Sequence, residues 1–388
     1  MRHICSHCRL TSPDGNLWCQ EVDCPAGSLP LLFKYGDYLG NLKILELMRV
    51  LKTATIYKVE RGIDKEHEVL ILKVANPGSE NEAYLRNEAE ALRTITMSSR
   101  DKHPALPTWR PHMAVNGQDA FGIVTSGEQT RYFFVMDFIE GEFLTDSLLD
   151  NPQPWHEDVG WFMLTLSEAI IRIEKITERL HLNVNPDVVL VRRNNAGIPQ
   201  PILLDVGLLS PTGKQLPATE AQALQQHLMA AYTPTELIRG GTLNPAADVY
   251  ALGLILYEML AGKPAYPYTL RRTEDIYDEI QQVSPVLRRA VLPVTPRRGR
   301  KGAKSSAEGV DGLLDIVQRA VRHDHPKRYT NVAEFRMALL NLYGEVVNKR
   351  RFDMNAFFSD VRRVAIYSMI GLVVIFVLMI LLSALTHR

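Results

Sequence analysis

Apolar and polar positions alternate in short bursts through the first third of the chain. Leu42 to Met48, Thr55 to Glu60 and Glu68 to Ala75 are apolar or alternating runs split by polar turns. Their side-chain period of two marks them as strands. From Glu80 to Ile95 the period changes: Tyr84, Leu85, Ala89 and Leu92 fall at helical spacing, so this stretch predicts a helix. Further strands are expected at Phe121 to Val124 and Tyr132 to Phe138. After Asn151 the pattern is mainly helical, most clearly from Trp161 to Leu180 and from Asp248 to Leu260. A strand-rich part carrying one helix, followed by a helical part, predicts an α+β protein of two lobes. Thr295 to Gly309 breaks the periodicity. It is basic and rich in glycine and serine, and reads as a solvated, flexible insertion.

The end of the chain has no period at all. Val364 to Leu385 reads VAIYSMIGLVVIFVLMILLSAL, 22 residues without a charge. A helix of that length spans about 33 Å, enough for a hydrocarbon core of ~30 Å. Apolarity on every face exceeds what a buried soluble helix carries. Lys349, Arg350, Arg351, Arg362 and Arg363 precede the segment, and only His387 and Arg388 follow it. The positive-inside rule therefore predicts a single-pass membrane protein whose N-terminal bulk is cytoplasmic, with a juxtamembrane linker over 344–363. Met1 to Pro30 holds cysteines and polar residues where a signal peptide would need an apolar run, so no signal peptide is expected.

Composition adds one local feature. The 44 basic and 44 acidic residues cancel, so nothing global draws the chain to nucleic acid or to anionic lipid. The four cysteines, however, all fall within the first 24 residues, as Cys5-x2-Cys8-x10-Cys19-x4-Cys24. A disulfide scaffold would not gather its bridges in one corner of a large chain. Two close pairs with Pro13-Asp14-Gly15 between them suit four thiolates closing on one tetrahedral zinc. His7 is an alternative ligand. A four-cysteine site has no open position, so the zinc would be structural. The pattern over 1–30 resembles a zinc ribbon, with four residues inside the second pair where two is commoner.

The middle of the chain carries a series of motifs in a set order. Val69-Leu-Ile-Leu-Lys73-Val is followed by Arg86-Asn-Glu88-Ala-Glu-Ala-Leu92 and by His103-Pro-Ala-Leu. Phe134-Val-Met-Asp137-Phe-Ile-Glu-Gly141 comes next, then His181-Leu-Asn183-Val-Asn185-Pro-Asp-Val188 and Leu204-Asp205-Val-Gly207. Tyr232-Thr-Pro-Thr-Glu236, Asp248-Val-Tyr-Ala-Leu-Gly253 and Asp324-His-Pro-Lys-Arg328-Tyr close the series. Each match is weak alone; order and spacing together resemble the protein kinase family. The resemblance covers about Tyr38 to Tyr343, with an N-lobe over 38–138 and a C-lobe over 139–343 that includes the basic loop 295–309. It implies a hinge at 134–141, an ion pair between Lys73 and Glu88, a cation-holding Asp205, and a nucleotide site of ATP with Mg²⁺ built on these three residues. It also implies a buried pair of Glu236 with Arg328, and an Asp248 that holds the catalytic loop.

The same resemblance exposes what is missing. The family's general base is an aspartate; here Asn183 stands there, and an amide cannot take a proton. The lysine two residues on is Asn185, so the cation that would neutralise a moving phosphoryl group is absent. The metal-holding asparagine is Val188, and the loop arginine is Leu182. Arg49, Leu51 and Ala54 occupy the three glycine positions of the phosphate loop, and no glycine occurs between Asn41 and Arg61. The scaffold parts are kept and the catalytic parts are lost. This predicts a pseudokinase that works through protein partners in signalling, tethered to a membrane, with nucleotide binding open. Two alternatives stand beside it: an active serine/threonine kinase with atypical residues, and a zinc-ribbon regulator that binds nucleic acid. The neutral charge and the membrane segment argue against the last.

Overall fold

Strand-forming runs and one amphipathic helix build the first lobe. The structure is a computed structural model. It describes residues 33–63, 66–98, 102–111, 119–126, 129–154, 156–194, 197–268, 271–288 and 307–343, together with two short strands near the N-terminus. Those two, β1 (His3–Ile4) and β2 (Thr11–Ser12), pair antiparallel. Cys5, Cys8, Cys19 and Cys24, the linker 344–363 and the segment 364–385 lie outside the described residues. Among the described residues no helix is long and apolar enough to cross a membrane, and no group of His, Cys, Asp or Glu is placed to hold a metal.

The N-lobe sheet contains β3 (Tyr38–Leu39), β4 (Leu42–Val50), β5 (Ala54–Ile63), β6 (Glu66–Ala75), β7 (Trp109–Arg110), β8 (Gly122–Ser126) and β9 (Gln129–Asp137). The order is β3-β4-β5-β6-β9-β7, with β8 also on β9, and every pairing is antiparallel. Alternation sets the two faces of β6. Leu70, Leu72 and Val74 join one cluster with Leu42, Ile44, Tyr57, Val59 and Val135. Ile71 and Lys73 point to the opposite face and are just as buried. That second face is covered by α1 (Ser79–Met97), whose Leu85, Glu88, Ala89, Leu92 and Ile95 are buried at helical spacing.

The C-lobe begins with β10 (Glu142–Phe143), α2 (Leu144–Asp150) and α3 (His156–Thr177). The helix expected to run to Leu180 ends earlier. Glu178 adopts a left-handed φ of 55°, and β11 (Arg179–Leu180) leaves the helix axis to pair with β14 (Ser210–Pro211). Between these lie β12 (Val189–Arg193) and β13 (Pro199–Leu203), which form a three-stranded sheet with β10. Further helices are α4 (Ala218–Gln225), α5 (Thr235–Ile238), α6 (Ala246–Ala261), α7 (Thr273–Gln282) and α8 (Ala307–Ala320), and the chain is helical again over 332–343. Helix α8 starts inside the basic stretch expected to be a loop to Gly309. Helix α6 is apolar on nearly every face and is buried along most of its length. At Gly253 a Cβ would lie 2.7 Å from the Cβ of Ala320, so glycine there lets α6 and α8 approach closely. Both lobes belong to one compact unit, residues 1–339.

Candidate functional site

Three charged side chains meet where the lobes face each other. Lys73 on β6 points toward α1, and its Nζ lies 2.6 Å from Glu88 Oε1 and 3.0 Å from Asp205 Oδ2. All three are buried. The Val206 amide donates to Glu88 Oε1 at 3.1 Å, and the Gly207 amide to Asp205 Oδ1 at 2.6 Å. One ammonium thus serves two carboxylates. Burial disfavours the charge on Lys73, but Asp205 and Glu88 more than offset it, and its pKa stands above that of an ordinary lysine. Burial would raise Asp205 too, yet the ammonium of Lys73 beside it holds it below the usual carboxylate value. Glu88 takes the other share: burial and the charge of Asp205 push it up to about 7 despite Lys73.

The segment between β11 and β12 is held from below. Asp248, at the start of α6, accepts from the amides of His181 at 2.8 Å and Leu182 at 2.7 Å. Leu182 has a left-handed φ of 62°, and these bonds fix it there. His181 Nδ1 accepts from the Asn183 amide at 3.2 Å, which requires the proton on Nε2; Nε2 then donates to the Asp205 carbonyl at 2.8 Å. Gly207 closes over this ring with φ +95°, and a Cβ there would sit 2.4 Å from the His181 carbonyl oxygen.

Asn183 and Asn185 are bound to each other. Asn185 Nδ2 donates to the Asn183 carbonyl at 2.8 Å and to Asn183 Oδ1 at 3.2 Å. Asn185 Oδ1 accepts from the Asp187 amide at 3.0 Å, capping a short 3-10 turn over Pro186–Val188. Asn followed by Pro is ordinary chemistry for opening a helical turn. The Asn183 side-chain amide can donate and accept hydrogen bonds but cannot take a proton. Val188, buried, offers an isopropyl group.

The β4–β5 connection is a tight turn: the Leu51 amide donates to the Ala54 carbonyl at 2.8 Å. Asn76, just past β6, pins it. Its Nδ2 donates to the carbonyls of Leu51 at 2.8 Å and Lys52 at 3.0 Å, its own amide donates to the Thr53 carbonyl at 2.9 Å, and its Oδ1 accepts from Thr55 Oγ1 at 2.9 Å. Arg49, at the end of β4, reaches down to the C-lobe. It pairs with Asp146 on α2 and lies 3.8 Å from Asp187 Oδ1, with its guanidinium 4.3 Å from the centre of the Phe143 ring. Thr145 Oγ1 donates to the same Asp187 oxygen at 2.7 Å.

Deeper in the C-lobe, Arg328 forms two bonds to Glu236, at 2.9 and 3.0 Å, with both side chains buried. The Tyr232 hydroxyl donates to Glu258 on α6. The structure therefore brings together Lys73, Glu88 and Asp205, places Asn183 on the segment that His181 ties to the Asp205 carbonyl, and pairs Glu236 with Arg328. Sequence reasoning did not single out Asn76, Phe143, Asp146 or Glu258, and it did not foresee where the Arg49 side chain goes. A polar Asn at the end of an apolar strand and an Arg in an otherwise apolar one were the available signals.

Residues 53–340 match the family model described as protein kinase domain. The probable serine/threonine-protein kinase PknB of Bifidobacterium longum is 25% identical over 218 residues, covering 55% of this chain and 28% of that protein. The serine/threonine-protein kinase PknB of Mycobacterium leprae is 24% identical over 263 residues, covering 67% of this chain and 36% of that protein. The chain thus spans well under half the length of either relative. A solved structure of a PknI kinase-domain double mutant from Mycobacterium tuberculosis aligns with a TM-score of 0.50 at 18% identity, covering 80% of this chain and 99% of that one. At that identity the likeness speaks for the fold alone.

Proposed function

This chain belongs to the protein kinase domain family, and from that premise we propose that it is a pseudokinase, a regulator that offers the surface of a kinase fold to a signalling partner. The observation that carries this reading is Asn183. At the position where the family keeps its proton-accepting aspartate stands an amide whose oxygen accepts from Asn185. Removing a general base costs about 10²–10⁴ in rate, and other groups are missing with it. Asn185 is turned into the loop as a cap, so no cation faces a phosphoryl group from there. Of the two family positions that hold metal, Asp205 keeps a carboxylate and Val188 has none, and the Asp205 carboxylate is engaged by Lys73 and by the Gly207 amide. As placed, with Lys73 shared between Glu88 and Asp205, these three residues act as an ion network that joins the lobes.

The intact Lys73–Glu88–Asp205 arrangement favours a second reading, a serine/threonine kinase with atypical residues, since that cluster is what the family uses to hold its nucleotide. In either case the N-terminal cysteines Cys5, Cys8, Cys19 and Cys24 would close on one structural zinc, and 364–385 would anchor the domain to a membrane from the cytoplasmic side. The deciding experiment is phosphate transfer from radiolabelled ATP by the purified full chain to itself and to generic protein acceptors, with Mg²⁺ or Mn²⁺. No incorporation above that of a Lys73→Ala, Asp205→Ala double variant is expected. Incorporation that this double variant abolishes would establish the second reading.

A further inference from the structure

Arg49 stands where the family has the first glycine of its phosphate loop, and its side chain does not reach solvent. Its side chain is 4% exposed. It belongs to β4, the roof of the cleft. Its partners form the floor: Phe143 on β10, Asp146 on α2, and Asp187 in the turn before β12. A roof residue in ion-pair contact with floor residues leaves no layer between them, and a ribose with its phosphates has to pass through that layer. The roof end and the Asp187 end of this tie are fixed, while the Asp146 side chain is 37% exposed. Asn76 holds the turn that follows β4, while Thr145 and the Asn185 cap hold Asp187. The tie also carries a weakness, because Arg49 Nε is buried with no hydrogen-bond partner. A buried donor left unpaired favours states in which it is released.

From this geometry, and resting on the pseudokinase reading above, we infer that Arg49 is a built-in strap that shuts the cleft against nucleoside triphosphates. Strap opening is then the event that makes Lys73 and Asp205 accessible. Charge alone predicts the opposite for a substitution: taking an arginine out of a cleft weakens its hold on a polyanion. The sign of the effect therefore separates a strap from a phosphate ligand.

The test is equilibrium binding of a fluorescent ATP analogue with Mg²⁺ to the full chain, followed by phosphate transfer on the same samples. Arg49→Ala and Arg49→Gln should each bind at least tenfold more tightly than wild type. The Gln variant keeps a long side chain over Phe143 and serves if truncation fails to fold. Exchanging the charges, with Arg49→Asp and Asp146→Arg together, should return affinity toward the wild-type level. Weaker binding by the Arg49 variants, equal binding, or no binding by any of them overturns the strap. Tighter binding without phosphate transfer upholds both the strap and the pseudokinase reading. Tighter binding with transfer upholds the strap and removes that reading, whereas unchanged binding without transfer does the reverse.

Discussion

Glu258 links the pH dependence of stability to the interior of the C-lobe. It sits on α6, 6% exposed, accepting a hydrogen bond from the Tyr232 hydroxyl. Burial, with a further contribution from Asp187, raises its pKa from 4.5 to about 7 against the pull of that hydrogen bond. Between those two values the folded protein keeps a proton that the unfolded chain has released. Stability contributed by the neutral acid is therefore lost as pH rises through this window. At ~1.4 kcal/mol per pKa unit, the cost of the buried carboxylate reaches about 3 kcal/mol above pH 7. Glu258→Gln keeps the shape and a carbonyl acceptor for Tyr232 but cannot ionise. Urea unfolding of both proteins, followed by tryptophan fluorescence from pH 5 to pH 8, measures the difference directly. The Gln variant should gain about 2–3 kcal/mol relative to wild type across that range. Glu88 titrates in both proteins and cancels in the comparison. Parallel stability curves, or a Gln variant that loses ground as pH rises, would refute the argument.

Two further substitutions probe the scaffold around the site. Asn76→Ala removes three side-chain hydrogen bonds that hold the β4–β5 turn, at a cost of about 2–3 kcal/mol. Amide exchange at residues 51–53 should speed up more than exchange in α6, and uniform protection would show that the turn does not depend on Asn76. Arg328→Met leaves Glu236 charged and buried, which costs about 3–5 kcal/mol. Adding Glu236→Gln should recover part of that loss in thermal unfolding, and a double variant worse than the single one would contradict the pairing.

Much of this site was legible in the sequence because it depends on periodicity and on short motifs. The alternation of β6 puts Lys73 on the α1 face, and the helical spacing of α1 puts Glu88 on its buried side. These two, together with Asp205, which lies 132 residues beyond Lys73, then meet within 3.0 Å. Asp248 and the Glu236–Arg328 pair were legible for the same reason. The end of α3 was not, because the left-handed turn at Glu178 sits on a residue whose type gives no warning. The pair of Tyr232 with Glu258 was equally hidden. A glutamate in a nearly all-apolar helix marks a buried polar contact but does not name its partner.

The direction of Arg49 was beyond sequence reasoning for a specific physical reason. Simple alternation assigns each residue of a strand to a face, and β4 breaks alternation twice. Its register against β5 shifts between Ile44 and Glu46 and again between Leu47 and Arg49, leaving Leu45 and Met48 as extra residues. Each bulge adds twist and re-aims the side chains that follow it. Counting from Leu42 therefore cannot say whether Arg49 faces solvent, sheet or cleft. The absence of glycine from the turn predicts only that backbone amides are harder to approach. The structure adds that the residue in glycine's place carries a cation long enough to reach Asp146 and Asp187. One replacement thus acts in two ways: it takes a flexible position from the roof of the cleft, and it ties that roof to the floor.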